Sequence, residues 1–404
     1  MKKHHRTMLG AIALSASLAL AASSAQAQSD PIKIGLITDL TGFLNNNGIA
    51  IRQAATLALE EVGYKVGNRS ISLIIEDEAS KPDQGIDKAR KLVESDKAAI
   101  ILGPFNGSTV VAVAGYINRA QVPNVVTWYS SASKDVLKMK WTWSPFGTIS
   151  QLSTPTGAYA YDVLGKRTMT SMGMDYIAGR EFIAGTENSF KERGGQVIQN
   201  QWIPLGTKDI APYISALKKA DFLAPWFAGV TVPAGLRQIK EFKVDMPVIM
   251  PQSGHAAHPD QIKEIGELGL GIITTDAYAW SIDTPENRDF VARYKKRWSV
   301  LPAGASYGGY FAMQIALEAL KKAGGNTSRE AIAKALDATR ITGLLCDFSF
   351  GEARIGVGNY IVHEVVRGEG DQPYKTKVLA RYRVQPVVSG DDVKFKAERV
   401  ATFK

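Results

Sequence analysis

The feature that most narrows what this chain can fold into is an alternation of strand-like and helix-like segments, run through twice. Ile32–Ile37 (IKIGLI) is a short apolar run rich in β-branched residues. GIAIRQAATLALEEVG follows with helical periodicity and closes on Gly63. Ile71–Glu76 reads as a second strand, and Asp83–Glu94 as a helix with Ile86, Ala89 and Val93 on one stripe. Ala98–Leu102 is a third strand, Thr109–Ala120 a third helix and Asn124–Thr127 a fourth strand. Strands separated by helices of this length imply right-handed crossovers and a parallel sheet. The pattern pauses over Trp143–Thr156, where Pro145, Gly147 and Pro155 fall, and then restarts. Strands at Arg167–Met172, Val197–Ile203, Phe222–Phe227 and Val248–Met250 alternate with helices at Ile177–Arg193, Ile210–Ala220 and Val232–Phe242. After Gly271–Thr275 come helices at Pro285–Val300, Ala305–Ala323 and Ser328–Ala338, then a tail that reads as antiparallel strands with Gly-rich turns. The expected class is α/β, with two doubly wound parallel-sheet lobes. Sheets of this kind bind ligands at their carboxyl edges, which places the ligand cleft between the lobes.

The N-terminus sets the compartment. Lys2, Lys3 and Arg6 precede an apolar run from Met8 to about Ala22, which ends in Ala25-Gln26-Ala27. The run is short and broken by Ser15 and Ser17, so it reads as a secretory signal peptide over residues 1–27, cleaved after Ala27, and not as a membrane span. The expected location is the periplasm. Of 404 residues, 377 follow the leader, too many for one ordinary core. Removing the leader's three basic residues takes the net charge from +9 to +6. That excess is spread along the chain, without the basic block and interleaved aromatics of a nucleic-acid binder. A single cysteine, Cys346, cannot close an internal disulfide, so stability must come from large cores. No cofactor is expected.

Three loops at strand ends are candidates for ligand contact. LGPFNGST (102–109) leaves the third strand and enters a helix, with Ser108 placed as the expected N-cap. Free amides at a helix start, together with the helix dipole, favour an anion. Asn106, Ser108 and Thr109 add polar groups, and the absence of both phosphate-loop fingerprints favours a carboxylate. VVTWYSSASKD supplies Ser130, Ser131 and Ser133, with Trp128 and Tyr129 as aromatic walls. TDLTGFLNNNG offers Thr41, Gly42, Phe43 and Asn45–Asn47 as a rim. An ordinary helix cap, a serine-rich loop and a solvent loop are the corresponding plain readings.

Other patterns carry less. Gly304-Ala-Ser-Tyr-Gly308 matches G-x-S-x-G, but a nucleophile elbow needs a strand before it. Here the preceding VARYKKRW is helical and Pro302 intervenes. His255 and His258 lack a third metal ligand and precede Pro259, so no metal site is expected. Glu60-Glu61 reads as solvated charge on a helix.

With these residues in hand, the chain resembles the periplasmic branched-chain amino acid-binding proteins, the type I periplasmic binding fold of ABC importers. The likeness runs through IKIGLITDLTGFLNNNGIAIRQAATLALEEVG, SISLIIEDEASKPDQGIDKARKLVESDKAAIILGPFNGSTVVAVAGYINRAQVPNV and ASYGGYFAMQIALEALKKAGG, in that order. The resemblance implies a three-stranded hinge, with crossings near Gly147, Thr275 and Leu345. The lobes would then comprise 28–147 with 276–345, and 148–275 with 346–404. It implies that Ser108 and either Ser131 or Ser133 hold a ligand carboxylate, and that Tyr176 stacks on the ligand. It also implies an inner-membrane ABC permease as partner, with the binding protein itself a monomer and not an enzyme.

One departure from the family pattern bears on cargo. Amino-acid binders place an acid after the strand matching Val248–Met250, where a buried ammonium needs a partner. Here the loop reads MPQSGHAAH, with Gln252, and no carboxylate before Asp260. The expected ligand is therefore an aromatic or other small carboxylate, or an amide. Trp128, Tyr129, Tyr176 and Trp226 are available to stack on a ring. The alternatives are a hydrophobic amino acid whose ammonium is held by Gln252, by carbonyls or by an acid from elsewhere, and a ligand sensor for a membrane receptor. A secreted hydrolase built on Ser306 and His363 is disfavoured by their local contexts. A receptor ectodomain would need a span after VATFK.

Overall fold

The computed structural model describes residues 30–42, 44–128, 137–227, 231–253, 259–342 and 347–402. Residues 1–29, Phe43, residues 129–136 with Tyr129, Ser131 and Ser133, His255, His258 and Cys346 lie outside the described residues.

The first sheet has six strands: β1 (Ile32–Thr38), β2 (Lys65–Val66), β3 (Arg69–Asp77), β4 (Ile100–Leu102), β5 (Asn124–Val125) and β6 (Thr142–Trp143). Their order is β2-β3-β1-β4-β5-β6, and every pairing is parallel except the β2–β3 hairpin. Strand β1 is buried along nearly its whole length, as expected of a strand covered on both faces. The crossover helices are α1 (Asn45–Glu61), α2 (Pro82–Arg90) and α3 (Gly107–Ala120). Helix α2 is shorter than the 83–94 periodicity predicts, because it passes into a π-helical turn over Lys91–Ser95. One face of the sheet packs Ile37 and Ile101 against Leu92, Val93, Val113 and Ile117. The other buries Ile34 and Leu36 with Ile51, Ala54 and Ala55 of α1.

The chain then reaches α4 (Ile149–Asp162), which the sequence pattern passes over. It is buried on all sides from Ile149 to Ala160, so it has no polar face to give it helical periodicity. The second sheet begins with β7 (Thr168–Met174), β8 (Gln196–Ile203) and β9 (Phe222–Trp226), parallel in the order β8-β7-β9. A bridge between Leu223 and Val248 joins β9 to β10 (Ile249–Met250), which runs parallel to β11 (Ile273–Asp276). Helices α5 (Ile177–Glu192), α6 (Ala211–Ser215), α7 (Thr231–Glu241) and α8 (Pro259–Ile265) cover it. Helix α6 is half the predicted 210–220. Gln199 takes the next backbone groups, accepting from the Lys218 amide at 2.7 Å and donating to the Ala216 carbonyl at 2.9 Å.

Helices α9 (Pro285–Trp298), α10 (Gly304–Lys322) and α11 (Arg329–Asp337) return to the first sheet. The Tyr294 hydroxyl donates to Gln53 of α1, and Arg297 forks onto Glu60. The tail forms β12 (Arg340–Thr342), β13 (Asp347–Phe350), β14 (Gly356–Glu369), β15 (Gln372–Ser389) and β16 (Asp392–Thr402). These are antiparallel, and β14 extends the second sheet beyond β11.

Two chain passages between the sheets are tied by specific contacts. At the first, Ser144 bridges to Ile355, accepting from the Gly356 amide at 2.8 Å and donating its own amide to the Arg354 carbonyl at 3.0 Å. Arg354 lies over the Trp143 ring at 3.9 Å and pairs with Asp337, which also accepts from Trp143 Nε1. At the second, Tyr278 stacks on Tyr307 at 4.9 Å, and Phe146 of the first passage packs edge-on against the same Tyr307 ring. Aromatic rings thus pack across the two passages, and Gly147 of the first has φ +68°. Among the described residues no helix is long and apolar enough to cross a membrane.

Candidate ligand-binding cleft

Strand β4 delivers the chain to Gly103 and Pro104, joined by a cis peptide. Gly103 has φ +83°, and a Cβ there would lie 2.0 Å from the Ile37 carbonyl oxygen, so only glycine fits. Asn124 of β5 donates to the Gly103 carbonyl and pins the turn. The N-cap of α3 is Asn106 and not Ser108: the Asn106 side chain accepts from the Ser108 amide at 3.0 Å. That shift has a simple cause. Glycine at 107 serves as the first helical residue, so the capping oxygen comes from one residue earlier. Ser108 therefore stands exposed in the first turn, free of capping duty, at the positive end of the α3 dipole. Thr109 is fully buried, and its hydroxyl lies against the Glu78 carboxyl.

The strand ends beside this turn are acidic. Asp77 accepts from the Leu40, Thr41 and Ala79 amides and from the Thr41 hydroxyl. Burial opposes its charge, but these bonds hold its carboxyl below the usual carboxylate range. Asp39, fully buried at the end of β1, accepts from the Ser80 hydroxyl at 2.6 Å, and burial raises its pKa all the same. Glu78 is also fully buried; burial first and the charge of Asp39 second push it up to about 8.

On the second sheet the carboxyl ends of β7 and β9 bring together an aromatic group that spacing alone only hints at. Tyr176, half-buried, caps the start of α5, and its ring lies 5.7 Å from that of Trp226. Trp226 stacks on Phe182 at 4.9 Å, with its indole N–H buried and unpartnered. Trp128 sits elsewhere: it is buried against Phe146 at 4.8 Å and against the glycines of α10. A single apolar cluster nonetheless contains Phe105 and Trp128 from the first sheet and Met174, Phe182 and Trp226 from the second.

At the end of β10, Gln252 is buried and its amide donates to Ser253 at 3.0 Å and to Asp276 at 3.3 Å. Asp276 ends β11, and buried His363 stands 3.9 Å from its carboxylate. This acid is the group that local reading of MPQSGHAAH could not find. It lies 24 residues on, brought beside Gln252 by the parallel β10–β11 register. The loop itself carries no carboxylate before Asp260, and the one beside Gln252 comes from elsewhere in the chain.

Ser306 is buried in the first turn of α10, where it accepts from the Ala303 amide and donates to Tyr294. His363 is on β14 of the other sheet, so the two make no nucleophile–base pair. Among the described residues no group of three or more His, Cys, Asp or Glu side chains is arranged to hold a metal ion.

Two α/β sheets linked by the chain passages described above, with an exposed helix start on one and an aromatic cluster on the other, have the two-lobed plan of a ligand-binding protein. The family model described as "Periplasmic binding protein" matches residues 31–370, and the chain belongs to that family, among the type I proteins that include the branched-chain amino acid binders. It is 26% identical over 338 residues to Leu/Ile/Val-binding protein homolog 6 of Brucella suis biovar 1 (strain 1330), covering 81% of this chain and 85% of that one. Its structure is similar to an ABC transporter substrate-binding protein from Sphaerobacter thermophilus, with a TM-score of 0.83, 29% identity and coverage of 88% and 98%. It is also similar to a solute binding protein of an ABC transporter from Rhodopseudomonas palustris BisB5 in complex with 3,4-dihydroxy benzoic acid. That match has a TM-score of 0.79, 25% identity and coverage of 88% and 98%.

Proposed function

We propose that this protein is the periplasmic substrate-binding component of an ABC importer, released from its leader after Ala27. It closes on a small aromatic carboxylate and hands it to an inner-membrane permease. On this reading it is a binder and not an enzyme, and its lobes comprise 28–147 with 276–345, and 148–275 with 346–404.

The observation that carries the ligand class is the Tyr176–Trp226–Phe182 group on the second lobe, where Trp226 stacks on Phe182 and Tyr176 is tilted against it, an aromatic wall that suits a flat apolar body. The first lobe supplies the complement: exposed Ser108 and the free amides of α3 receive a carboxylate. Ser131 or Ser133 would add a second hydroxyl, and Asn106 orients the turn. The 3,4-dihydroxybenzoic acid in the Rhodopseudomonas relative points the same way.

A second reading is favoured by Asp276. Beside Gln252 it supplies an acceptor for an ammonium, as a branched-chain amino acid requires. A calorimetric panel of benzoate, 4-hydroxybenzoate, leucine and valine separates the two. The aromatic reading expects tight binding of the aromatic acids only; tight leucine binding with no aromatic binding would sink it. Asp276→Asn is then informative, because it should abolish amino-acid binding and leave benzoate, which has no ammonium, within about threefold. Trp226→Ala should weaken aromatic acids about tenfold or more, through loss of one face of the ring site.

A further inference from the structure

The acidic strand ends beneath the α3 turn are at odds with a site for anions. Asp39 and Glu78 are both fully buried, and so is Thr109 between Glu78 and the helix start. Asp39 Oδ2, both Glu78 carboxyl oxygens and Thr109 Oγ complete no hydrogen bond of good geometry with any described residue. Two buried carboxylates side by side, each with unsatisfied oxygens, would be very costly if both were ionised. One proton between them removes most of that cost and gives one oxygen a donor.

Among the described residues no basic side chain faces the pair; the Thr109 hydroxyl and the Phe105 amide approach Glu78 and favour its charged form, but burial and the charge of Asp39 outweigh them. From β1 the facing group is Asp39, and from β3 it is Asp77, itself ionised. Beyond β3, Ser80 is spent on Asp39. Helix α2 presents Gly85 to the Glu78 carboxyl; its Lys88, with Lys91 beyond it, is committed to Glu76. Helix α3 offers Thr109 and no charged side chain in its first turn, and α1 has no acid in its own.

We propose that Asp39 and Glu78 hold a single shared proton directly beneath the first turn of α3, and that this proton is what lets the turn accept a carboxylate ligand. Losing it would place a second negative charge under the clamp and weaken binding. The coupling rests on the carboxylate reading given above; the shared proton does not. Glu78 is a positioning residue here and touches no ligand. Its pKa near 8 agrees with a proton held at neutral pH and released in mild alkali.

The test has two arms. In the ligand-free protein, carboxyl carbon NMR should show one glutamate signal titrating near pH 8, absent from Glu78→Gln and moved to lower pH in Asp39→Asn, which keeps Glu78 and removes its partner. A Glu78 signal titrating in the ordinary glutamate range overturns the shared proton. In the second arm, calorimetry with benzoate and 4-hydroxybenzoate should show affinity falling about tenfold between about pH 6 and about pH 9.5 in wild type, and flat in Glu78→Gln. By linkage that drop equals a rise of about one unit in the Glu78 midpoint on binding. An alkaline midpoint with pH-independent affinity overturns the coupling alone. Failure of every carboxylate to bind at pH 6 overturns the ligand reading and the coupling, and the NMR arm still decides the proton.

Discussion

Glu78→Gln is expected to invert the order of stability between the two proteins as pH rises: wild type equal or better near pH 5, the variant clearly better near pH 9. Glu78 has a folded pKa of about 8 against 4.5 for the free side chain. Between those values the native state keeps a proton that the unfolded chain has released. Unfolding then gives up protons, so stability falls with rising pH through this window. The stabilisation is complete below about pH 4.5, declines up to about pH 8 and is flat beyond. Across the full gap of about 3.5 units the change is at most about 5 kcal/mol, at roughly 1.4 kcal/mol per unit. Glutamine has no proton to lose, and its amide can donate to ionised Asp39, so the variant's curve should lack this slope. Glu76 and Asp77 work in the opposite sense. Each is held low against the opposing effect of burial, Glu76 by hydrogen bonds from Lys91 and Lys88, so each loses its contribution only as pH falls below the usual carboxylate range. Thermal denaturation of both proteins from pH 5 to pH 9.5 checks this; parallel curves would show that Glu78 titrates normally.

The origin of this pair shows which parts of the molecule could be read from residues in order. Asp39 and Glu78 are 39 positions apart and become neighbours only because β1 and β3 are adjacent, in a register that pairs Thr38 with Asp77. Nothing local marks either as unusual. Asp276 beside Gln252 is the same case. By contrast, most strands and crossover helices of both sheets are legible in the sequence, because each carries its own apolar period. The turn at LGPFNGST was legible as a strand-to-helix junction, and the residue error in its cap came from having two capping side chains within three positions.

Helix α4 was illegible for a physical reason. It is surrounded, so several of its polar residues bond inside the protein: Thr154 donates to the Ser150 carbonyl, and Thr156 to that of Pro251 while sharing a bond with Thr275. A sequence reader sees Ser, Gln, Thr and Pro and infers a loop. Helix α6 failed the other way, its periodicity real but its backbone groups captured by Gln199.

The GASYGG stretch resolves what its G-x-S-x-G pattern was for. Its glycines are packing residues. Gly308 abuts the end of β5, where a Cβ would sit 2.1 Å from the Thr127 carbonyl oxygen and 3.0 Å from the Trp128 ring. Gly309 faces α1, where a Cβ would come within 2.4 Å of the Ile51 carbonyl oxygen. These are backbone obstacles that no rotamer change relieves. Gly308→Ala should therefore destabilise the protein by about 2–3 kcal/mol despite the higher helix propensity of alanine. It should also displace Trp128, and with it the Phe146 ring that packs on Tyr307 at the hinge. Ser306→Ala, in the same motif, loses a hydroxyl that accepts from Ala303 and donates to Tyr294, and should cost only about 1 kcal/mol. A nucleophile would show the reverse ranking, with the serine indispensable to activity and the glycine secondary. Chemical denaturation of the two variants, with tryptophan fluorescence as a second readout, distinguishes the cases. A Gly308→Ala protein as stable as wild type, with unchanged tryptophan emission, would mean that α10 does not press on Thr127 and Trp128 as tightly as this packing requires.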